Sequence, residues 1–373
     1  MLTPESRSRS FPSLAGRTYL NTAAEGIPPL EVKRALDEYF AHKQIGMDGR
    51  DQHFARWDDL KQVTAEFFGL SANEIGICSC SSEAYNLAAM ALRLREGDEV
   101  IINDLDFPAG ATPWLQADCP ATAKVWRARN GGLDVFDLGE LLSPKTRLVT
   151  VSLVSFFNGH RILLPEVADM VRAKSEALLA VDVTQALGRI PLDLQEADLI
   201  VSSTHKWILA SHGGGLVGVP KHRTKEWTVP AGGWFNLENA FGAERFDAAV
   251  SKPGAESFTV GMPNFPAVYA VHAGLEYIRS VGVEKIEATA RPLVRACLEG
   301  LQSLKVDVLT PPDEAHIAGI LAFRHPDAER IHKALHAANV HVMSSAGRLR
   351  IAIHGYNTHA DIEQLLSTLR SAL

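Results

Sequence analysis

The sequence predicts an α/β fold, in which a large domain with a mainly parallel β-sheet precedes a small C-terminal α+β domain. Between residues 74 and 220, short apolar runs alternate with segments of helical periodicity, the pattern of a parallel sheet covered by helices on both faces. From residue 306 onward, short strands are interspersed with two helices, which indicates a separate α+β unit. With 373 residues and 46% hydrophobic composition, the chain can bury the cores of two domains.

The strands of the large domain are predicted from continuous or alternating apolar runs. They lie at residues 74–80, 99–103, 124–127, 147–154, 178–182, 199–202 and 215–219. Helical periodicity predicts helices at residues 30–42, 54–68, 83–94 and 165–176, with a polar connector at residues 46–52. Pro165 supports the start of the last of these helices.

Two long helices, at residues 266–279 and 285–304, are predicted to lead out of the large domain. The small domain combines helices at residues 328–338 and 358–373 with strands at residues 306–309, 319–323, 340–343 and 348–353. The predicted boundaries are an N-terminal arm of residues 1–30, a large domain of residues 31–265, and linking helices with the small domain over residues 266–373.

Composition argues against several classes of partner. The formal net charge of -7 provides no basic surface for nucleic acid or for an anionic membrane. The N-terminal residues contain no apolar segment like that of a secretory signal, and no apolar run approaches the ~20 residues of a membrane span. We therefore expect a cytoplasmic protein that acts on a small molecule.

The cysteines indicate neither a metal site nor a disulfide scaffold. There are four, Cys78, Cys80, Cys119 and Cys297, and their spacing is not that of a zinc site. Cys78 and Cys80 are two residues apart in the predicted strand 74–80, so both are expected on one buried face. No other cluster of His, Cys, Asp or Glu suggests a bound metal.

Two charged residues lie at or just after the ends of the predicted buried strands 178–182 and 199–202. Asp182 closes the first apolar run, and Lys206 follows the second and precedes the glycines of residues 213–215. Charges at such positions are costly unless they are paired. Pyridoxal phosphate (PLP) needs this combination, a carboxylate for its pyridinium nitrogen and an amine for a covalent bond to its aldehyde. The alternatives are a surface lysine and an aspartate that caps the next turn.

Hydroxyl groups occupy the junction between strand 74–80 and helix 83–94. Ser81 and Ser82 stand where main-chain amides and the helix dipole form an anion site, which suits the cofactor phosphate. Serine is also a common helix N-cap, so these residues alone do not decide between the two roles. Gln185 is a candidate for a hydrogen bond to the phenolic oxygen of the cofactor.

Seven short motifs identify a family resemblance when they are taken in order. They are residues 19–24, 81–84, 106–108 with Pro113 and Trp114, 181–185, 203–206, 261–264, and Arg350 with 356–358. In this order the chain resembles the class V aminotransferase family from about residue 19 to residue 360. The resemblance implies a fold-type I PLP-dependent enzyme, of the group that includes cysteine desulfurases, isopenicillin N epimerase-like proteins and C–S lyases.

The resemblance implies a role in cofactor binding for each candidate. Lys206 is expected to bond covalently to PLP, Asp182 to pair with the pyridine nitrogen, and Gln185 to contact the phenolic oxygen. The phosphate ligands that it implies are Ser81, Ser82, Ser203 and His205.

The resemblance also implies residues that contact the face of the cofactor ring, the substrate and a partner subunit. Phe107 takes the ring-stacking position, where many relatives have histidine; phenylalanine can stack but cannot transfer protons. Arg350 is expected to bind the substrate carboxylate by two parallel hydrogen bonds, together with Asn21. A structural salt bridge is the alternative for Arg350, and Arg348 shares its strand face. The resemblance also implies a homodimer, in which Met262 replaces a threonine that contacts the neighbour's cofactor phosphate.

The predicted reaction is β-elimination of the C–S lyase type from a small α-amino acid. Cysteine desulfurases carry a sulfur-accepting cysteine in a loop before the carboxylate-binding arginine, and this chain has no cysteine between Leu298 and Arg350. Transamination is the first alternative and epimerisation or racemisation the second; a binding protein without turnover is a third. Trp234 is a candidate for the substrate pocket, or else an interface or core residue.

Overall fold

A seven-stranded β-sheet lies at the centre of the computed structural model, which describes residues 1–373. In chain order the strands are β1 (Thr18–Tyr19), β2 (Ile75–Cys78), β3 (Glu99–Asn103), β4 (Thr122–Trp126), β5 (Thr146–Ser152), β6 (Leu178–Asp182), β7 (Leu199–Ser203), β8 (Gly215–Gly218), β9 (Asp307–Val308), β10 (Ile320–Arg324), β11 (Val340–His341), β12 (Met343–Ser345) and β13 (Arg348–Ala352). The helices are α1 (Pro4–Ser10), α2 (Leu30–Gln44), α3 (Arg50–Phe68), α4 (Ser81–Leu92), α5 (Pro108–Ala111), α6 (Val135–Leu141), α7 (Leu164–Lys174), α8 (Phe265–Val281), α9 (Val283–Ser303), α10 (Ala328–Ala337) and α11 (His359–Ala372).

The seven-stranded sheet is mainly parallel, which confirms the predicted α/β class. Its order is β2-β8-β7-β6-β5-β3-β4, and β8 alone runs antiparallel to its neighbours. Strand β6 is buried along its whole length because both faces of the sheet are covered. Strands β5, β6 and β7 end at the same edge, where Ser152 lies opposite Asp182 and Asp182 lies opposite Val201.

The C-terminal part of the chain forms an antiparallel sheet of four strands in the order β12-β13-β10-β9. Helices α9, α10 and α11 pack with it around a core that includes Leu321, Phe323 and Leu349. A two-stranded parallel pair, β1 with β11, ties the N-terminal segment to this unit. The small α+β part of the predicted fold is thus confirmed. None of the helices combines the length and the apolar character needed to cross a bilayer.

The connector predicted at residues 46–52 is largely helical instead. A 3-10 turn over Gly46–Gly49 leads directly into α3, which begins at Arg50. Gly46 has a φ of 64°, a backbone conformation that glycine adopts without strain, so the chain turns sharply there. The polar composition of this stretch reflects its exposed surface rather than an irregular loop.

Two strand predictions were also wrong in detail. Residues 340–343 do not form one strand, because β11 pairs with β1 whereas β12 pairs with β13. Cys80 is not in a buried strand: β2 ends at Cys78, opposite Gly215 at the start of β8, so no partner strand remains beyond it. Cys80 is instead the half-buried N-cap residue of α4. In both cases the position of a distant partner strand decides where the strand ends.

A buried arginine joins the large sheet to the small one. Arg189 is fully buried, and its Nε donates to the main-chain oxygen of Ile353 at 2.8 Å. Its Nη1 donates to Glu287 on α9, whose side chain is 12% exposed and also pairs with Arg291. A buried guanidinium needs a paired carboxylate, and Glu287 supplies that counter-charge.

We expect Glu287→Gln to lower the free energy of unfolding by about 3 kcal/mol, because Arg189 is then buried without its counter-charge. Urea unfolding followed by circular dichroism measures this change. Glu314→Gln removes an exposed ion pair with Arg295 and is the matched control, for which we expect an unchanged midpoint. Equal effects of the two variants would show that Arg189 does not depend on Glu287.

Candidate active site

A cavity at the carboxyl edge of β5, β6 and β7 brings together most of the predicted site residues. Parallel strands deliver their carboxyl ends to one edge of a sheet, so residues from distant segments meet there. The lining residues are Ser81, Phe107, Ser152, Phe156, Asp182, Thr184, Gln185, Ser203, His205 and Lys206.

Asp182 is the last residue of β6 and is 8% exposed. One of its carboxylate oxygens accepts the main-chain N–H of Thr184 at 2.8 Å, and the Thr184 side chain is a second donor; a carboxylate has further acceptor positions beyond these two. Burial raises the pKa of Asp182, while the hydrogen bonds from Thr184 and the charge of Lys206 oppose this shift. Asp182 can therefore accept one further donor, and a cationic donor would stabilise its ionised form.

Lys206 follows β7 and is 9% exposed. Its Nζ lies 5.1 Å from the centroid of the Phe107 ring. Burial lowers the pKa of Lys206 to about 8; the charge of Asp182 opposes this decrease, and that of Arg350 adds to it. About a tenth of the amine is then neutral at pH 7, and the neutral amine is the nucleophilic form.

The Phe107 ring is positioned by its two neighbours along the cavity wall. Asp106 accepts the main-chain N–H of Ser152 at 2.8 Å, which fixes this segment to the end of β5. The Phe156 ring meets Phe107 edge to face, with centroids 5.1 Å apart. Phe107 is nevertheless 44% exposed, so part of the ring is free to stack on a planar ligand.

Hydroxyl and imidazole groups gather at the N-terminus of α4. Ser203 Oγ donates to Ser81 Oγ at 2.9 Å, and the first N–H groups of α4 have no acceptor within the helix. His205 lines the same cavity and stacks on His212, with ring centroids 4.4 Å apart. Burial, followed by the charge of Lys206, lowers the pKa of His205 to about 4, so the imidazole is neutral at pH 7. This set of donors suits a phosphate group.

Both the oxygen and the nitrogen of the Gln185 side-chain amide form hydrogen bonds within the chain. Its Oε1 accepts the indole N–H of Trp207 at 2.6 Å, and its Nε2 donates to the main-chain oxygen of Ala23 at 3.1 Å. One amide N–H is left over, so the contact with a phenolic oxygen stays a prediction. Because Trp207 follows Lys206 directly, Gln185 also fixes the segment that carries the lysine.

Arg350 comes from β13 of the small sheet and contacts the cavity wall. Its Nη1 donates to the main-chain oxygen of Phe156 at 2.8 Å, whereas its Nε is buried without a partner. Burial, followed by the charge of Arg348, lowers the pKa of Arg350 to about 10, so it is cationic at pH 7. Asn21 forms a parallel bridge with Ala352 of the same strand, and its buried Oδ1 also lacks a partner.

Two of the predicted residues lie away from the cavity wall. Ser82 is exposed in the first turn of α4. Trp234 packs against Phe235 and Phe241 and does not line the cavity around Lys206.

Three residues that line the cavity were missed in the sequence. Ser152 is the last residue of β5, and Thr184 follows the end of β6 by two residues. A position at the carboxyl edge of a parallel strand was the available signal for both. Phe156 gave no such signal, because its place depends on the turn at residues 155–160.

One group of candidate metal ligands was not anticipated from the sequence. The ligand atoms of Glu25, His205 and His212 lie within 4.8 Å of one another. Glu25 and His212 are exposed and form a direct contact of 3.0 Å. The three residues come from separate segments, so the sequence shows no metal-binding spacing.

The polar groups of the cavity correspond to the polar groups of PLP. The N-terminus of α4 with Ser81 and Ser203 matches the phosphate. The buried carboxylate of Asp182 matches the protonated ring nitrogen, and the partly neutral amine of Lys206 matches the aldehyde. The residues present therefore fit this cofactor.

Known proteins resemble the chain over nearly its whole length. Residues 18–365 match the Aminotransferase class-V family profile. A probable cysteine desulfurase of Pyrococcus abyssi is 26% identical, over 99% of this chain and 97% of its own length. The uncharacterized aminotransferase YcbU of Bacillus subtilis is also 26% identical, over 98% of this chain and 97% of its own length.

Solved structures share the fold. The apo cysteine desulfurase of Thermococcus onnurineus NA1 has a TM-score of 0.90 at 22% identity, covering 100% of this chain and 98% of that chain. The cystine C–S lyase C-DES, in complex with cysteine persulfide, has a TM-score of 0.88 at 22% identity, covering 97% of this chain and 99% of that chain. With a family match from residue 18 to residue 365 and a cavity that fits the cofactor, the chain belongs to the aminotransferase class-V family and is a PLP-dependent enzyme.

Proposed function

We propose that the enzyme cleaves the C–S bond of an S-substituted cysteine by β-elimination, without a sulfur-accepting cysteine. The tight hairpin before Arg350 is the observation that carries this proposal. Ser345 pairs with Arg348 across it, which leaves only Ala346 and Gly347 in the turn, with φ of 50° and 72°. Such a two-residue turn matches the twist of its strands and is short, so it offers no mobile loop for a cysteine.

The positions of the four thiols support the same proposal. Cys78 and Cys297 are buried, and burial raises the pKa of both thiols, that of Cys297 to about 12, so neither is ionised at neutral pH. Cys119 lies in a loop between α5 and β4. Cys80 is half-buried and precedes Ser81 of the cavity, so it is the thiol that a test must address first.

The names of similar proteins support more than one reaction. The similarity to a cystine C–S lyase supports elimination, whereas the relatives named cysteine desulfurase support persulfide formation. The Bacillus relative named as an aminotransferase makes transamination the second candidate. The products distinguish these reactions directly.

We assign the cofactor contacts to the chain as follows. When bound, PLP supplies an electron sink that stabilises negative charge at the substrate α-carbon. Asp182 would pair with the ring nitrogen and favour its protonated form, Phe107 would pack on the ring, and Gln185 would offer its remaining N–H to the phenolic oxygen. The phosphate would be held by the first N–H groups of α4, which include that of Ser82, together with the side chains of Ser81, Ser203 and His205.

Arg350 and Lys206 act on the substrate itself. Arg350 binds the α-carboxylate through its free N–H groups, with Asn21 beside it, and so fixes the direction of the α-C–H bond. Lys206 would be the residue that holds the cofactor covalently, and its amine would be free to act once substrate is bound. Its pKa of about 8 then allows the amine to accept the α-proton and to release it again near neutral pH.

The overall reaction consumes one water molecule and converts the S-substituted cysteine to a thiol, pyruvate and ammonia. The C–S bond breaks with its electron pair on sulfur, and the sulfur takes up a proton to leave as a thiol. Water converts the remaining three-carbon enamine to pyruvate and ammonia. No oxidant or reductant is required.

We expect the purified enzyme to form pyruvate and ammonia in equal amounts from S-substituted cysteines. Cys80→Ser combined with Cys119→Ser should leave the rate unchanged, because neither thiol takes part. Coupled assays for pyruvate, ammonia and thiol measure the products, and Lys206→Ala is the inactive control.

Each other outcome supports a different reaction. Loss of sulfur release in a folded Cys80→Ser variant that still binds substrate would restore the desulfurase assignment. A 2-oxo acid without ammonia would indicate transamination, and exchange of the α-proton with inversion of the α-carbon would indicate epimerisation.

The pKa of Lys206 predicts how cofactor attachment depends on pH. Only the neutral amine attacks the aldehyde, so attachment of PLP to the apo-enzyme should become faster as the pH rises and level off above about 8. A lysine with the ordinary value of 10.5 would continue to gain about tenfold per pH unit in that range. Stopped-flow absorbance measures the rate, and apo Lys206→Ala is the control. A rate that still rises between pH 9 and 10 would contradict the lowered pKa of Lys206.

Asp182→Ala should retain the covalent bond between PLP and Lys206 but slow removal of the substrate α-proton by about 10²–10³-fold. Without the buried carboxylate, the ring nitrogen is not kept protonated and the ring withdraws electrons less well. Exchange of α-deuterium, followed by NMR, measures this step. Asp193→Ala, at an exposed position, is the control. Exchange at the wild-type rate in Asp182→Ala would place the partner of the ring nitrogen elsewhere.

We also propose that the enzyme is a cytoplasmic homodimer. The four free thiols support a reducing compartment. Met262 lines a second cavity together with Ser79 and Glu83, beside the N-terminus of α4, so a partner subunit there would lie near the phosphate site. Large exposed apolar side chains support an interface. They are Phe40, Ile45, Met47, Phe241, Phe246 and Met262.

A further inference from the structure

Two arginines of β13 lie on one face of the strand, at alternate positions. Arg348 is 4% exposed and Arg350 is 3% exposed, so both residues are buried. Residues two apart in a strand project to the same side of the sheet. The proposed function uses one of these cations and leaves the other without a role.

Neither arginine has a carboxylate partner within the chain. Arg350 makes a single hydrogen bond, to the main-chain oxygen of Phe156, and Arg348 makes none. The buried atoms Nε and Nη1 of Arg348 and Nε of Arg350 are all unpaired. Burial lowers the pKa of Arg348, and the nearby charge of Arg324 lowers it further. An arginine stays protonated at neutral pH even so, which leaves an uncompensated buried cation.

Aromatic contacts link Arg348 to the cavity. Its guanidinium carbon lies 4.1 Å from the centroid of the Phe157 ring and 5.7 Å from that of Phe156. Phe156 lines the cavity, touches Phe107 and accepts the hydrogen bond from Arg350. The ring faces stabilise the cation but do not satisfy its N–H groups, which need acceptors in the plane of the guanidinium.

We propose that Arg348 binds a second anionic group of the substrate. The substrate class is then an S-substituted cysteine whose sulfur substituent ends in a carboxylate, so that Arg350 holds one carboxylate and Arg348 the other. That the substrate contains sulfur rests on the proposed C–S cleavage. That it carries two carboxylates rests on the arginines alone. Two guanidinium groups that each keep an unpaired buried N–H and that both approach Phe156 of the cavity wall favour a dicarboxylic ligand over a neutral one.

The reaction is balanced for a specific compound of this class. S-Carboxymethylcysteine and one water molecule give thioglycolate, pyruvate and ammonia. The bond between sulfur and the β-carbon breaks with its electrons on sulfur, and the distal carboxylate leaves with the thiol unchanged. Arg348 thus binds a group that takes no part in the bond changes, which makes it a residue for specificity.

The first test compares two ligands of nearly equal shape on the wild-type holoenzyme. S-Carboxymethylcysteine carries the distal carboxylate, and S-carbamoylmethylcysteine carries an uncharged amide in its place. We expect kcat/KM to favour the carboxylate by about tenfold or more, the size of a charge-assisted hydrogen bond. Equal values for the two compounds would overturn the proposal without any variant being made.

The second test changes the charge on the protein. In Arg348→Gln the preference for the carboxylate should be lost, while kcat/KM for the amide should stay near the wild-type value. Arg348→Lys keeps the charge and should recover part of the preference. Arg324→Gln is the matched control, because Arg324 lies opposite Arg348 on β10 but has an exposed side chain. A preference that persists in Arg348→Gln would show that Arg348 only packs against Phe157.

A binding measurement separates this proposal from the proposed function. L-2-Aminoadipate replaces the sulfur of S-carboxymethylcysteine with a methylene group and therefore cannot undergo C–S cleavage. Calorimetry on the holoenzyme should show binding that weakens by about tenfold or more in Arg348→Gln and not in Arg324→Gln. If this holds but no S-substituted cysteine is cleaved, the lyase function fails and the second anion site stands. If the cysteines are cleaved and neither binding nor kcat/KM depends on Arg348, the second anion site fails alone.

Discussion

The common carboxyl edge of β5, β6 and β7 is the constraint on which the rest of the site depends. Ser152 and Asp182 lie opposite each other in register at this edge, and Ser203 ends the next strand. Strands β6 and β7 are buried along their whole length and apolar until their last residues, so their polar groups occur at the edge where they end. The same burial that stabilises the sheet also shifts the pKa values of Asp182 and Lys206. Fold stability and site chemistry therefore share one cause, the exclusion of water from the sheet.

The small sheet is attached to this edge by groups that take no part in the proposed chemistry. His354, two residues beyond β13, donates from Nε2 to the main-chain oxygen of Trp207 at 2.8 Å. Burial lowers the pKa of His354 to about 3, so the ring is neutral and its Nδ1 accepts the N–H of Gly355 at 2.7 Å. The strand that carries Arg350 is thus tied to the segment that carries Lys206. This link fixes the distance between the backbone positions of Arg350 and Lys206. The long, flexible side chains of these residues could not fix that distance by themselves.

Local patterns in the sequence were sufficient for the sheet and for the polar ends of its strands. Asp182 and Lys206 could be found because an apolar run followed by a charge is visible without any knowledge of the fold. The end of β2 depends on β8 and the end of β11 depends on β1, and both partner strands are more than a hundred residues away, so Cys80 and Val342 were misplaced. The burial of Arg348 depends on the turn that carries Phe156 and Phe157, and nothing in the spacing of residues 348–350 reveals it. The side chains that the sequence leaves undetermined are those held by contacts between separate segments.

The charge of the cleft is opposite in sign to that of the whole chain. The chain carries a net charge of -7, yet Lys206, Arg348 and Arg350 are buried around the site. Asp182 and Asp106 are nearby carboxylates, and burial raises the pKa of Asp106 to about 7, so that it is only partly ionised at neutral pH. A cleft of this kind concentrates the field of its cations and attracts anions from solution. Under the proposed function, the cofactor phosphate and the carboxylates of the substrate would supply the missing negative charge. A ligand that binds only to the folded chain stabilises the fold. Once its concentration exceeds its dissociation constant, the gain in free energy of unfolding grows with the logarithm of the ratio of the two.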